Sequence, residues 1–458
     1  MKNFRLPKLK KKYWILLGVA AAAVLLLGIS AAGYFRSSSY ASATVAAIVI
    51  LFLILLAVLV ALIVLVAYDR KNGQTVTVQN VTLEQSGLQA SAKEEKGEGK
   101  KRFDGLSRID ERKMSYRRKE YAEGLTLQEI CEEFRAYAAG RLKLYYEEED
   151  IRRFIAGLAV SHILILQGMS GTGKTSLAYA FGEYLGNPST VVPVQPMWKE
   201  RTDLVGYYNE FTKRFNETDL LKKMYEANYS EEMYITVLDE MNIARVEYYF
   251  AEFLSLLELP KAEERKLTVV SDSMKDDPEQ LEEGHIQLPE NMWFIGTANN
   301  DDSTFAISDK VYDRAMVLDL ERKSEEFIAG EAKERHIRSK DFQRLAEEAE
   351  KEYGLTERNR RRLEELDEYM SEKFRVTFGN RIRRQIEKYV AVYVSCGGKE
   401  LEALDDILAK KVMRKLGMQN PVYLKNNAER LCLRMEELFG EESLPQCKEA
   451  VRRLAGNV

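Results

Sequence analysis

Histidine is nearly missing from this chain. Three occur in 458 residues, His162, His285 and His336. That scarcity argues against a histidine-built metal centre or a histidine-based catalytic triad. Cysteine is also sparse. Cys131, Cys396, Cys432 and Cys447 form no C-x-x-C pair and show no metal-ligand spacing. No disulfide framework is indicated, and the set fits a reducing compartment. An excess of positive charge is absent too, since 68 basic and 72 acidic side chains give a net charge of -4. This balance argues against a generally basic nucleic-acid binder and leaves only local patches for that role. What the chain does have is apolar content, 45% of its residues, in a length with room for more than one domain.

Part of that apolar content is concentrated near the start. Tyr13 to Phe35 and Ala41 to Tyr68 are apolar almost throughout, and each is long enough to cross a bilayer as a helix. Arg36 to Tyr40 is the only separation, so the pair is expected to form a tight hairpin within residues 1–72. Lys2, Arg5, Lys8, Lys10, Lys11 and Lys12 precede the first run, and Arg70 and Lys71 come after the second. The positive-inside rule then places both termini in the cytoplasm, as a two-pass membrane protein. A cleaved signal peptide ending near Ser30-Ala31-Ala32 is the competing reading, but its apolar core would be unusually long.

Residues 73–124 change to a polar character. Ala92 to Arg102 is a Lys/Glu/Gly run, and Arg108 to Ala122 is heavily charged with helical potential. The stretch reads as a solvated tether. Thr126 and Glu129 then form a capping box, which predicts a helix to about Leu142. A second helix is expected over Glu147 to Ala159.

The stretch Ile163 to Thr175, ILILQGMSGTGKT, organises the rest of the chain. Gly168, Gly173, Lys174 and Thr175 fill the pattern G-x-x-x-x-G-K-[ST]. An apolar strand precedes it, and Ser176 to Leu185 comes next with helical spacing. Gly168, Gly171 and Gly173 let the backbone curl so that successive N–H groups, with those of Thr172 and Ser176, meet a phosphate at a helix N-terminus. Lys174 can reach the β- and γ-phosphates, and the Thr175 hydroxyl can ligate Mg²⁺.

Tyr234 to Leu238 is a second apolar strand, and it stops at Asp239-Glu240. Carboxylates at a strand's C-terminal end face the crevice where ligands bind in open α/β sheets. Asp239 is placed to hold Mg²⁺ or its waters, and Glu240 to orient and deprotonate an attacking water. A third strand over Asn291 to Thr297 ends at Ala298-Asn299-Asn300, beside those acids. Further on, Arg314 precedes a strand over Met316 to Leu320. Arginine suits the charge of a phosphoryl transition state, although by spacing alone Arg314 reads as an ordinary surface residue.

Taken together, these pieces resemble the AAA+ ATPases, within the branch holding MoxR, McrB and the dynein and midasin motors. The resemblance covers about Leu125 to the C-terminus. GMSGTGKT corresponds to Walker A, and VLDEMNIARVEYY to Walker B, where relatives typically read L-D-E-I-N-R-A. WFIGTANN matches sensor 1 as G-T-x-N, which assigns that role to Asn299. DKVYDRA resembles the arginine-finger segment through Arg314, with Asp313 and Ala315 where the pattern carries further arginines. Phe378-Gly379-Asn380-Arg381 opens a C-terminal helix as sensor 2 does. Arg381 is the candidate nucleotide contact, with Arg383 and Arg384 as alternatives.

The resemblance implies an α/β fold: a parallel sheet flanked by helices over 125–322, then an α-helical lid over 323–458. It implies ATP and Mg²⁺ as ligands and a homo-hexameric ring. Thr202 to Phe211 and Leu267 to Pro289 resemble two insertions that face the ring pore or a partner. Tyr207, Tyr208 and Phe211 read equally well as loop packing. Tyr248, Tyr249, Phe250 and Phe253 are expected to pack the core.

Two functions are consistent with these features. One is a membrane-anchored ATPase that remodels an unidentified protein partner. The other is an ATP- or GTP-driven subunit of a McrB-like restriction system, acting on DNA with a nuclease partner. Acidic net charge and the apolar hairpin favour the first. Intact Lys174, Asp239 and Glu240 argue against a scaffold with little turnover.

Overall fold

Four apolar runs of the sequence become neighbouring parallel strands. The computed structural model describes residues 101–118, 120–299, 304–321 and 324–456. The apolar runs of the expected hairpin, the polar stretch to residue 100 and Asn300 lie outside them. Among the described residues no helix is long and apolar enough to cross a membrane.

In chain order the strands are β1 Ile163–Gly168, β2 Thr190–Pro193, β3 Gly206–Asn209, β4 Arg214–Glu217, β5 Tyr234–Asp239, β6 Lys266–Thr268, β7 Leu281–Glu282, β8 His285–Gln287, β9 Met292–Asn299 and β10 Met316–Asp319. Five of them make a parallel sheet in the order β10-β1-β9-β5-β2. The pleat sends alternate side chains to opposite faces. Leu164 and Leu166, Ile235 and Val237, Trp293 and Ile295, and Met316 and Leu318 enter one core. Ile163 and Ile165, Tyr234 and Leu238, and Met292 and Phe294 enter the other. Burial on both faces explains why these runs are almost continuously apolar.

The helices Glu148–Val160 and Lys174–Tyr184 pack on the first face, and the helix Leu127–Leu142 lies against both. Its start is reciprocally capped: the Glu129 N–H donates to Thr126 Oγ1 at 3.2 Å, and the Thr126 N–H donates to Glu129 Oε2 at 2.8 Å. Towards the C-terminus come the helices Ser339–Glu352, Glu357–Phe374, Gly379–Ser395, Glu400–Lys411, Pro421–Phe439 and Pro445–Gly456. Their apolar faces belong to the same core as Leu164 and Leu166. The helical part expected as a lid is thus continuous with one face of the sheet.

The first insert is a β hairpin and the second a three-stranded antiparallel sheet. β3 pairs with β4, and β6, β8 and β7 form a small antiparallel sheet. Phe211 at the first tip is 99% exposed and Tyr207 is 53% exposed. Tyr208 instead lies under the Arg102 guanidinium, 5.0 Å from it. Tyr249, Phe250 and Phe253 are fully buried as expected, but Tyr248 is exposed. The helical run after β5 breaks at Phe250 into Val246–Tyr249 and Ala251–Leu256, and Tyr248 faces Arg245 instead of the core.

The tether reading fails from residue 102 onward. Phe103, Leu106 and Ile109 are buried in the second core, on and just before a helix spanning Asp104–Glu111. Glu217 of β4 caps that helix by accepting from the Gly105 and Leu106 N–H groups at 2.7 and 2.8 Å. Arg102 pairs with Asp272, and Asp110 accepts from Tyr225 and Tyr229, each at 2.6 Å. This segment therefore braces both inserts. Phe103 is buried and packs 4.9 Å from Phe215. Phe103→Ala is therefore expected to cost about 3 kcal/mol or more of stability through the cavity it leaves. A thermal midpoint equal to wild type would show that the segment adds nothing to the domain.

Candidate active site

The turn from β1 into the helix Lys174–Tyr184 is built on glycine. Gly168, Gly171 and Gly173 have φ values of 144°, 81° and 90°, where L side chains are strained. At Gly168 a Cβ would lie 2.2 Å from the Leu320 carbonyl oxygen as well. The loop passes under the end of β10 and leaves no room for a side chain. Thr172 Oγ1 donates to the Met169 carbonyl at 3.1 Å, and Ser176 stands in the first turn of the helix, half-buried. Tyr146 braces the loop from outside, donating from its phenol to the Gly173 carbonyl at 3.1 Å. Burial pushes that phenol up, so it stays a donor.

Lys174 is buried and donates to the carbonyls of Gly168 and Met169 at 3.0 and 2.7 Å. The ammonium therefore sits inside the curl of the loop. One residue on, Thr175 Oγ1 donates to Asp239 Oδ1 at 2.7 Å. The same carboxylate oxygen accepts from Thr297 Oγ1 of β9 at 2.9 Å. Thr297 in turn accepts from the Glu240 N–H at 2.8 Å. The ends of β5 and β9 and the helix start thus converge on one chain of short hydrogen bonds.

Glu240 adopts a left-handed backbone, with φ of 52°. A non-glycine residue held there costs energy and is commonly found at functional sites. Its side chain is exposed, whereas Asp239 is half-buried. Asn299 ends β9, and its carbonyl accepts from Asn242 Nδ2 at 2.9 Å. Asn242 thus ties the end of β9 to the turn after β5.

Among the described residues no cluster of three or more His, Cys, Asp or Glu could hold a metal alone. The donor set does fit a cation that takes most of its ligands from phosphate and water: one hydroxyl, Thr175, beside one carboxylate, Asp239. The glycine curl with its enclosed ammonium fits a polyphosphate.

Arg314 and Arg381 do not join this group. Both pair with Glu258, at 2.8 and 2.6 Å. Arg383 pairs with Asp367 at 2.6 Å. Sequence reasoning missed Tyr146, Asn242, Thr297 and Glu258 as working parts. Thr297 and Asn242 had a signal, as the T of G-T-x-N and the N of L-D-E-I-N-R-A; Tyr146 and Glu258 have only their contacts.

A buried charge network joins the C-terminal helices to the end of the sheet. Asp406 meets Arg153 at 3.0 Å and Lys410 at 2.6 Å, and accepts from Tyr389 at 2.5 Å. Lys410 also approaches Asp319 of β10 at 3.7 Å. Burial alone would raise the Asp406 carboxyl, but the charges of Lys410 and Arg153 and the hydrogen bonds hold it below the usual carboxylate range. A carboxyl lowered by folding contributes stability above its unfolded pKa, and that contribution is lost as pH falls through the folded value. Asp406→Asn is therefore expected to lower the thermal midpoint at neutral pH and to flatten its acid dependence. An unchanged acid profile would remove Asp406 from that role.

Residues 163–315 match the model of the AAA domain, dynein-related subfamily. Residues 328–458 match a model described as Domain of unknown function (DUF8727). A curated relative is the Type IV methyl-directed restriction enzyme EcoKMcrB subunit of Escherichia coli (strain K12), 27% identical over 186 residues. The match spans 39% of this chain and 39% of that protein. Among solved structures, a presumed ATPase from Cytophaga hutchinsonii aligns with a TM-score of 0.43 at 14% identity, covering 76% of this chain and 97% of its own. A full-length MCM homolog from Methanopyrus kandleri aligns at a TM-score of 0.33 and 12% identity, over 60% of this chain and 58% of its own.

Proposed function

Starting from an AAA+ P-loop ATP hydrolase related to the McrB subunit, we propose that this chain is anchored to the membrane through its N-terminal apolar runs. There it couples ATP binding and hydrolysis to the remodelling of a partner protein, as a homo-hexameric ring with the ATPase part cytoplasmic. The observation that carries the enzymatic half is the hydrogen-bonded chain Thr175–Asp239–Thr297–Glu240 beside the glycine loop.

Gly168, Gly171 and Gly173 would cradle the phosphates with the N–H groups of Thr172 and Ser176, and Lys174 would neutralise them. Thr175 and Asp239 would hold Mg²⁺, which supplies charge neutralisation on the phosphate oxygens. Thr297 orients the Asp239 carboxylate and, through its backbone, Glu240. Glu240 takes the proton of the attacking water, and Asn299 hydrogen-bonds that water or the γ-phosphate. Phe211 at the hairpin tip and Tyr207 on the exposed side of β3 are the surface offered to the partner.

The membrane half rests on the two runs and their basic flanks. Reporter fusions at each end of the full chain are expected to read cytoplasmic at both. An external C-terminus would overturn the placement and the anchored reading with it.

A second reading comes from the likeness to the restriction subunit: an ATP- or GTP-driven action on DNA with a nuclease partner. DNA that stimulates turnover, with binding that weakens steeply as salt rises, would favour it over the first. Turnover indifferent to DNA would favour the protein-remodelling reading.

A further inference from the structure

Two arginines with different expected roles end on one carboxylate. Glu258 lies just beyond the helix Ala251–Leu256. Its Oε2 is 2.8 Å from Arg314 Nε, and its Oε1 is 2.6 Å from Arg381 NH1. Arg314 comes from the segment before β10, and Arg381 from the first turn of the helix Gly379–Ser395. Two guanidiniums brought this close would repel, and one carboxylate shared between them offsets that repulsion.

The atoms used are informative. Glu258 meets Arg314 as an ion pair at Nε, which makes no hydrogen bond, and the Lys310 carbonyl accepts from its NH1 at 3.0 Å. Glu258 takes only NH1 of Arg381. Among the described residues Arg314 Nε and NH2, and Nε and NH2 of Arg381, donate no hydrogen bond. The backbone beneath Arg314 is held separately. Buried Lys411 donates to the carbonyls of Tyr312 and Ala315 at 2.8 and 2.5 Å, and Ser161 Oγ donates to the Arg314 carbonyl at 3.0 Å. Arg314 is half-buried and Arg381 exposed. The arrangement is a braced pair of cations with its spare donors left for an anion. A planar guanidinium fork matches phosphoryl oxygens well, and fixing it in advance removes the entropy of ordering it at each turnover.

We propose that Glu258 is a positioning residue for ATP hydrolysis, holding Arg314 and Arg381 as one two-guanidinium unit that serves a single phosphoryl group. The inference rests on reading Arg314 as a catalytic arginine. In that unit the carboxylate neutralises one charge, so the pair approaches the phosphoryl group with a net charge near +1 and two sets of donors. Arg381 then works with Arg314 and not with the phosphate loop of its own chain.

The test is steady-state ATP turnover of the full-length protein with Glu258→Ala, Glu258→Gln and Glu258→Asp, alone and combined with Arg314→Ala. Glu258→Ala is expected to lower kcat on the order of tenfold to a hundredfold, as for a lost orienting contact, with KM for ATP and the thermal midpoint close to wild type. Glu258→Asp should recover part of kcat, and the isosteric Glu258→Gln, which keeps the packing and loses the charge, should not. In the Arg314→Ala background the same Glu258→Ala change should have little further effect, because residues acting as a unit are not additive. A kcat raised by Glu258→Ala would make the carboxylate a brake and overturn the proposal. So would a wild-type kcat in Glu258→Gln, or an equal factor in both backgrounds. Full activity in Arg314→Ala alone would instead remove the premise, and is read separately from the Glu258 variants.

Discussion

Glu240→Gln protein is expected to bind ATP as wild type does and to lose turnover on the order of a hundredfold to ten thousandfold, the usual contribution of a positioned general base. The amide has the size and shape of the carboxyl but cannot accept the proton of the attacking water. The position also explains why the loss should be confined to chemistry. Glu240 reaches Thr297 through its backbone N–H, so the substitution leaves the hydrogen-bonded chain from Thr175 to Thr297 intact. Its side chain is exposed, so no packing is lost. Lys174→Ala provides the contrast. It removes the ammonium that rests on the Gly168 and Met169 carbonyls, and should weaken nucleotide binding itself. Titration with a fluorescent nucleotide and a phosphate-release assay separate the two. Phosphate release from Glu240→Gln at the wild-type rate would withdraw the base assignment.

Much of this site can be read from the chain because each part is local. An apolar strand that stops abruptly at Gly168, at Asp239 or at Asn299 announces both the strand and the functional end of it. The helix Leu127–Leu142 is similarly announced by Thr126 and Glu129, three residues apart. The parts that could not be read depend on distant partners. Phe103, Leu106 and Ile109 sit in a strongly charged stretch, and their helix is made worth forming by Glu217 and by the tyrosines that donate to Asp110, more than a hundred residues away in sequence. Tyr248 looks like its buried neighbours Tyr249 and Phe250, but the break at Phe250 turns it outward. Glu258 carries no motif at all. Its meaning lies in the convergence of Arg314 and Arg381, which only the packing of the Gly379–Ser395 helix near the end of the sheet creates.

The remaining large effect concerns assembly. In the family this chain resembles, an arginine placed like Arg314 reaches the γ-phosphate held by the next subunit. An arginine supplied in trans adds its positive charge only when the ring closes, which couples hydrolysis to assembly. The geometry within one chain is compatible with that division: Arg314 is tied to Glu258 and Lys310, while Lys174 lies within the glycine loop. Arg314→Ala is therefore expected to keep nucleotide binding and to lose turnover on the order of a thousandfold, as removal of an arginine finger does. Asp313 and Ala315 stand beside it where the resembled pattern carries further arginines, and Lys415 pairs with Asp313 at 3.3 Å, so neither neighbour can take over its role. Mixing Arg314→Ala with Lys174→Ala protein should partly restore turnover. In a mixed ring, an intact loop from one variant can face an intact arginine from the other across a shared interface. Full activity of Arg314→Ala alone would take the residue out of the site. A mixture shown by size-exclusion chromatography to co-assemble, yet no more active than its components, would mean that the arginine serves its own chain's nucleotide.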